Sequence, residues 1–141
     1  MYQKILVPYD GSAHAQRALE HATAFAAAQQ AAVEIVYVDP TSSELLEQPL
    51  MIPTHELEAY FAEEEAQVRR NLRALTASLP DAGIQILQGH AGQEIVKYAA
   101  ESKADLIIIG NRGLGTLSEW VLGSVSHYVS QHAGCPVMIV K

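Results

Sequence analysis

The stretch Leu106-Ile107-Ile108-Ile109 constrains the fold of this chain more than any other feature. Four consecutive apolar residues, three of them β-branched, leave no side for solvent, so a strand built from them is covered on both faces. Strands covered in this way belong to parallel sheets, and parallel neighbours need long crossover connections, usually helices. The rest of the chain supplies them. Five short apolar runs, at residues 4–9, 33–38, 84–88, 106–109 and 137–141, alternate with four helical patterns.

The first helical pattern opens near Ser12 and repeats Ala15, Ala18, Leu19, Ala22, Phe25 and Ala26 on one face. The second opens near Thr54, read as its N-cap, and carries Leu57, Tyr60, Phe61, Val68, Leu72, Leu75 and Leu79. Its glutamates lie early and its arginines late, which suits the helix dipole and reads as a solvated face. The third covers 92–103 through Ile95, Val96 and Ala99, and the fourth covers about 124–132. All six prolines fall at strand ends or in loops. With 141 residues there is one core. The expectation is therefore a single α/β domain over 1–141, an open, doubly wound five-stranded parallel sheet with four helices and strand order 3-2-1-4-5.

That order reverses between strands one and four, where open α/β sheets bind ligands. Two segments then meet. One is Pro8-Tyr9-Asp10-Gly11-Ser12, with Val38 at the end of the adjacent strand. The other is Gly110-Asn111-Arg112-Gly113, followed after nine residues by Gly123-Ser124. Glycines there permit positive φ and let backbone N–H groups approach an anion. The start of the last helix points unpaired N–H groups and partial positive charge into the same space, and Ser124 and Ser126 are expected to add hydroxyl donors. Together these features describe a phosphate cradle. Asp10 faces ribose hydroxyls, a base or a phosphate-bound metal ion, or else it makes a turn and helix cap with Ser12.

The segments Ile5-Leu-Val-Pro-Tyr-Asp-Gly-Ser12, Ala104-Asp105-Leu106-Ile-Ile-Ile-Gly-Asn-Arg-Gly113, Leu122-Gly-Ser-Val-Ser126 and His132-Ala-Gly-Cys-Pro-Val137 resemble those of the universal stress protein family. The pattern Gly-x2-Gly-x9-Gly-Ser/Thr of its ATP-binding branch is matched without a gap. The resemblance implies an adenine nucleotide alpha hydrolase-like fold and ATP as ligand. It implies an adenine and ribose pocket lined by Pro8, Asp10, Val38 and Ile109, with Tyr9 beside them in the same loop. It further implies phosphate contacts, largely through backbone, from Gly110, Gly113, Gly123, Ser124 and Val125. Arg112 reaches a phosphate or is solvated. The chain departs from the family in reading His90-Ala91-Gly92 where a proline is common, and Ser118-Glu119-Trp120 where a basic residue is common. Mg2+ or Mn2+ bound with ATP would supply the missing positive charge.

Other chemistries find less support. A net charge of −7 with no basic stripe opposes a nucleic-acid partner. No Gly-x4-Gly-Lys-Ser/Thr loop is present, and Gly113-Leu-Gly115 lacks the third glycine of a dinucleotide fingerprint. Strand three ends in Gln88-Gly89-His90, which excludes a response-regulator aspartate there. The six histidines show no tight metal spacing, and His132 suits a helix C-terminus. Cys135, the single cysteine, reads as a small buried hydrophobe and suits a reducing compartment. The N-terminus lacks a signal-peptide core and no apolar run approaches the roughly 20 residues of a membrane span, so the expected location is the cytosol.

Residues 137–141 are apolar on both faces and end the sheet, an edge that invites pairing with a second copy about a two-fold axis. The family resemblance implies the same homodimer. Residues 39–53, with three prolines, form a loop long enough to be a lid or a partner site. Two functions follow. One is a nucleotide-dependent regulatory or stress-response switch read by a partner. The other is a slow ATPase or an enzyme phosphorylating itself at Ser124, Ser126 or a nearby hydroxyl, with Asp10 as metal ligand or base.

Overall fold

The computed structural model describes residues 1–39, 51, 53–113 and 121–141. The expectations for most of the 39–53 loop, and for Gly115 and Ser118-Glu119-Trp120, lie outside these residues. The strands are β1 (Lys4–Pro8), β2 (Ala32–Asp39), β3 (Gly83–Gln88), β4 (Leu106–Gly110) and β5 (Val137–Val140). All neighbours pair in parallel, in the order β3-β2-β1-β4-β5. This is the doubly wound sheet that the sequence predicts.

Among the described residues the helices are α1 (Ala13–Gln29), α2 (Thr54–Leu75), α3 (Ala91–Glu101) and α4 (Ser124–His132). On one face of the sheet α1 and α2 cover Ile5, Val7, Ile35, Ile84 and Ile108. On the other, Ile95 and Ala99 of α3 and Val129 of α4 cover Leu6, Val36, Ile107 and Ile109. Alternate residues of β1 and β4 thus enter opposite cores, which is why both strands read as unbroken apolar runs. Small alanines on α1 (Ala15, Ala18, Ala22 and Ala26, all buried) bring that helix close to the central strands.

Helix starts follow local chemistry. Ser12 caps α1, its Oγ accepting from the N–H of Ala15 at 3.1 Å, and Gln30 ends the helix with φ of 55°. Thr54 does not cap α2. It is the first helical residue, and Pro53 holds the cap position without a side-chain hydrogen bond. Proline suits a helix start because it has no N–H to leave unpaired. Helix α3 begins one residue before the expected Gly92, with His90 at the cap.

Helix α2 also differs in how its apolar face is used. Leu72 is its one buried side chain among the described residues. Tyr60 and Leu75 are 55% and 43% exposed, and Leu79 lies past the helix end, in the turn that follows. The helix is held by its C-terminal half, where Arg69 donates to the carbonyl of Ile84 at 3.1 Å and Arg73 to that of Ala82 at 2.8 Å. Arginines read as a solvated row therefore tie α2 to the β3 region. At the other end of the sheet β5 is an edge, with Met138 36% exposed. Cys135 is half-buried, and burial raises its thiol pKa, in keeping with a packing role. His132 closes α4 with Nδ1 2.9 Å from the carbonyl oxygen of Tyr128.

Because α2 rests on so little buried surface, Leu72→Ala should cost about 2–5 kcal/mol of stability, the range for a buried leucine truncation. Urea unfolding of the variant measures this; a loss no larger than that of a surface substitution would mean that the two arginine bonds alone hold the helix.

Candidate functional site

The strand order reverses between β1 and β4, and a cavity of about 410 Å³ opens at their C-terminal ends. That volume lies within the roughly 300–1,000 Å³ of small-molecule sites. Pro8, Tyr9 and Asp10 form one wall, with Val38 beside them on β2. Ile109 and Gly110 end β4 in the opposite wall, followed by Arg112 and Gly113. Gly123, Ser124, Val125 and Ser126 complete it at the start of α4. The cavity therefore gathers all twelve residues singled out from the sequence. It also includes four that sequence reasoning missed: Ala15 on α1, Val36 on β2, and Ala91 and Ile95 on α3. Their small or apolar side chains look like any core residue along the chain, and only Ala91, beside the noted His90–Gly92 departure, had a neighbouring signal.

The start of α4 is organised by a backbone carbonyl. Asn111 O accepts from the N–H of Gly123 at 2.9 Å and from Ser126 Oγ at 2.8 Å. The N–H of Asn111 in turn donates to Val140 O at 2.7 Å, tying the loop to β5. The first i to i−4 bond at this end of α4 runs from His127 N to Gly123 O at 2.8 Å, and among the described residues no side chain caps the helix. The N–H groups of Ser124, Val125 and Ser126 thus open towards the cavity that these residues line, as the first turn of a helix requires.

Two expectations need correction. Ser126 was to offer its hydroxyl outwards, yet it is buried, and Oγ lies 2.8 Å from Asn111 O and 3.1 Å from Gly123 O. Its one proton is committed to those carbonyls, so Ser126 braces the helix start and only its N–H faces a ligand. The glycines also serve another purpose. None of Gly110, Gly113 and Gly123 has positive φ; that geometry belongs to Gly11 and Gly89. A Cβ at Gly110 would lie 2.7 Å from the carbonyl carbon of His14, and one at Gly113 would lie 2.6 Å from Asp10 Oδ2. One at Gly123 would lie 3.1 Å from Asn111 O. These glycines let the chain approach itself, which is what shapes the cavity.

Asp10 makes the turn that its sequence suggests and borders the cavity. Its Oδ1 accepts from the N–H of Ser12 at 2.9 Å, making the turn into α1, while the carboxylate lines the cavity. Arg112 is half-buried, and its carbonyl oxygen lies 3.5 Å from Ser12 Oγ, linking the two walls. Burial raises the phenol pKa of Tyr9, with Asp10 adding to the effect. For His14, burial and then the Arg112 and Arg17 guanidiniums lower the pKa, and Asp10 opposes them. Among the described residues no group of three His, Cys, Asp or Glu side chains comes together as a metal site.

The universal stress protein family matches residues 1–141, and the chain belongs to that family. A universal stress protein of Thermus aquaticus is 37% identical, with both chains covered in full. Protein MJ0577 of Methanocaldococcus jannaschii is 32% identical and superposes with a TM-score of 0.78, covering 100% of this chain and 96% of its own. A universal stress protein solved in complex with cAMP is 27% identical, with a TM-score of 0.70 and coverage of 99% and 97%. Relatives with this fold therefore include a nucleotide binder.

The glycine contacts make separable predictions. Gly110→Ala should lose about 1–3 kcal/mol, since the new methyl meets His14 backbone that cannot rotate away. Gly113→Ala should cost less than about 1 kcal/mol, because Asp10 can swing aside as a surface side chain does. Urea titrations of the two variants compare them, and equal losses would contradict the assignment of fixed and movable neighbours.

Proposed function

We propose that the cavity binds ATP and that the protein is a nucleotide-dependent regulatory switch in the stress response. The observation that carries this reading is the convergence of an uncapped helix start with an apolar slot at one strand-order reversal. Pro8, Val38, Val36 and Ile109 offer the slot for a base. The N–H groups of Ser124, Val125 and Ser126 offer fixed donors and the positive end of a helix dipole to phosphates. Arg112 is the one cation among the described lining residues. Asp10 faces the ribose or the phosphates.

A divalent ion fits this site only in part. Asp10 is the one carboxylate among the described lining residues, so the nucleotide's own phosphates would hold most of the coordination of Mg2+ or Mn2+. Such an ion would offset phosphate charge next to Asp10. The cytosol fits the same reading, as does the lone cysteine.

Calorimetry of the nucleotide-stripped protein with ATP, with and without Mg2+ or Mn2+, tests the binding. Saturable heat is expected, and Val38→Trp, which fills the slot, should abolish it while leaving the urea midpoint near that of the parent. No heat at millimolar ATP would overturn the reading. Mass spectrometry of the same mixture after overnight incubation separates a switch from an ATPase, since ADP that disappears with Asp10→Ala would favour the enzyme.

We also propose that two copies pair antiparallel through β5, whose exposed edge supports it. Sedimentation should show a dimer for the parent chain and a monomer for Met138→Glu, which places charge on that edge. A dimer that persists in the variant would move the contact elsewhere.

A further inference from the structure

Gly92 stands in the first turn of α3, where alanine has much the better helix propensity. Its φ is not positive, so the backbone does not call for glycine. Space does. A Cβ built there would lie 2.8 Å from Cδ1 of Tyr128 on α4, 3.0 Å from its Cγ and 3.1 Å from its Cβ. Carbon atoms in contact sit about 3.5–4.0 Å apart, so a side chain at position 92 overlaps the tyrosine. Two of these atoms are at the root of the side chain, and turning the ring about its own axis does not clear them. The ring is also stacked on His132, with centroids 4.0 Å apart and planes 20° apart, and His132 Nδ1 is 2.9 Å from the Tyr128 carbonyl oxygen. Tyr128 is therefore fixed on α4, and a side chain at position 92 would push α3 away from it.

This contact adjoins the cavity on both helices. Ala91, next to Gly92, and Ile95, one turn on, line the cavity from α3. Ser124 and Val125, one turn before Tyr128, line it from α4. The breadth of the cavity between the two helices is thus set where Gly92 meets Tyr128. The other apolar walls have little slack. Val36, Ile95 and Ile109 are buried in one cluster with Val129 of α4, and Val38, Ala91 and Val125 pack against it. Side chains close-packed in this way do not give way to an added ring.

We propose that Gly92 is a positioning residue that holds the base slot at the breadth of an unextended base. The site then takes nucleotides with a bare base and rejects those whose base carries a further ring. This rests on the reading of the cavity as an ATP site and narrows the class of nucleotide it accepts. Gly92 itself touches no ligand. It acts by letting α3 lie against Tyr128, so that Ala91 and Ile95 stand at a fixed distance from the first turn of α4.

The test is calorimetry of the full chain, stripped of nucleotide, with ATP and with etheno-ATP, the analogue whose adenine carries a fused extra ring. The parent should prefer ATP by about tenfold or more, the scale on which a fixed apolar pocket resolves a small added group. Gly92→Ala should weaken ATP by about tenfold while etheno-ATP loses less, so that the preference falls to about twofold. Adding Tyr128→Ala to that variant removes the obstructing ring and should restore both the affinity for ATP and the preference. Ile95→Val, which takes a methyl from the same wall without adding an overlap, should narrow the preference by about threefold. Equal losses for both nucleotides in Gly92→Ala would overturn the proposal, because a helix that is merely loosened does not discriminate between them. A double variant no better than Gly92→Ala would overturn it too, as would an unchanged preference in Ile95→Val. A parent that binds both nucleotides alike refutes the selectivity alone, whereas one that binds neither refutes the ATP reading together with it.

Discussion

The carbonyl of Asn111 holds the functional end of the molecule together. It receives the Gly123 N–H and the Ser126 hydroxyl, while its own residue's N–H is anchored on β5. That anchor, together with the packing of Val125 and Val129 in the cluster that holds Ile109, sets the first turn of α4 against the end of β4. The helix start is consequently braced by groups that do not face the cavity, and its own N–H groups stay available to a ligand. An arrangement of fixed donors costs little reorganisation when an anion arrives. The Gly110 contact with the His14 backbone does the same for α1, which cannot drift away from β4 without opening a gap beside the cavity.

Much of this was legible along the chain because sheet topology follows from apolar patterning. Leu106–Ile109 had to be covered on both faces, and that requirement fixed the class of sheet before any motif was considered. The spacing from Gly110 to Gly123 identified which strand and helix meet at the reversal point. Less legible was why the glycines stand where they do. Backbone freedom and close ligand approach were the readings available from sequence, whereas the limiting contacts come from His14, Asp10 and Asn111 in other segments. Ser126 was misread for a similar reason, since a hydroxyl's direction depends on which carbonyl comes near in three dimensions. Ala15, Val36, Ala91 and Ile95 were invisible because small and apolar residues carry no chemical mark of a cavity. On α2, Arg69 and Arg73 resembled solvated charges until the β3 region supplied carbonyls for them.

The charge distribution explains how a chain of net charge −7 can present a site for an anion. Arg112 and Asp10 balance within the described lining of the cavity, so the pull on phosphates rests on the helix dipole and backbone N–H groups. These donors cannot lose a proton near neutral pH, unlike a histidine, and they hold no long side chain whose freedom must be surrendered on binding. A site of this kind recognises the shape of a phosphate more than its total charge.

Asp10 then matters more than its size suggests, because it both makes the turn into α1 and borders the cavity at the strand-order reversal. Its negative charge opposes a phosphate at close range and suits it to accept from a hydroxyl donor. The Ser12 N–H that holds Oδ1 belongs to the residue that caps α1, so the carboxylate is positioned by the same turn that starts the helix. The loop from β1 into α1 is thus a wall of the cavity whose one charged side chain is oriented by the local fold.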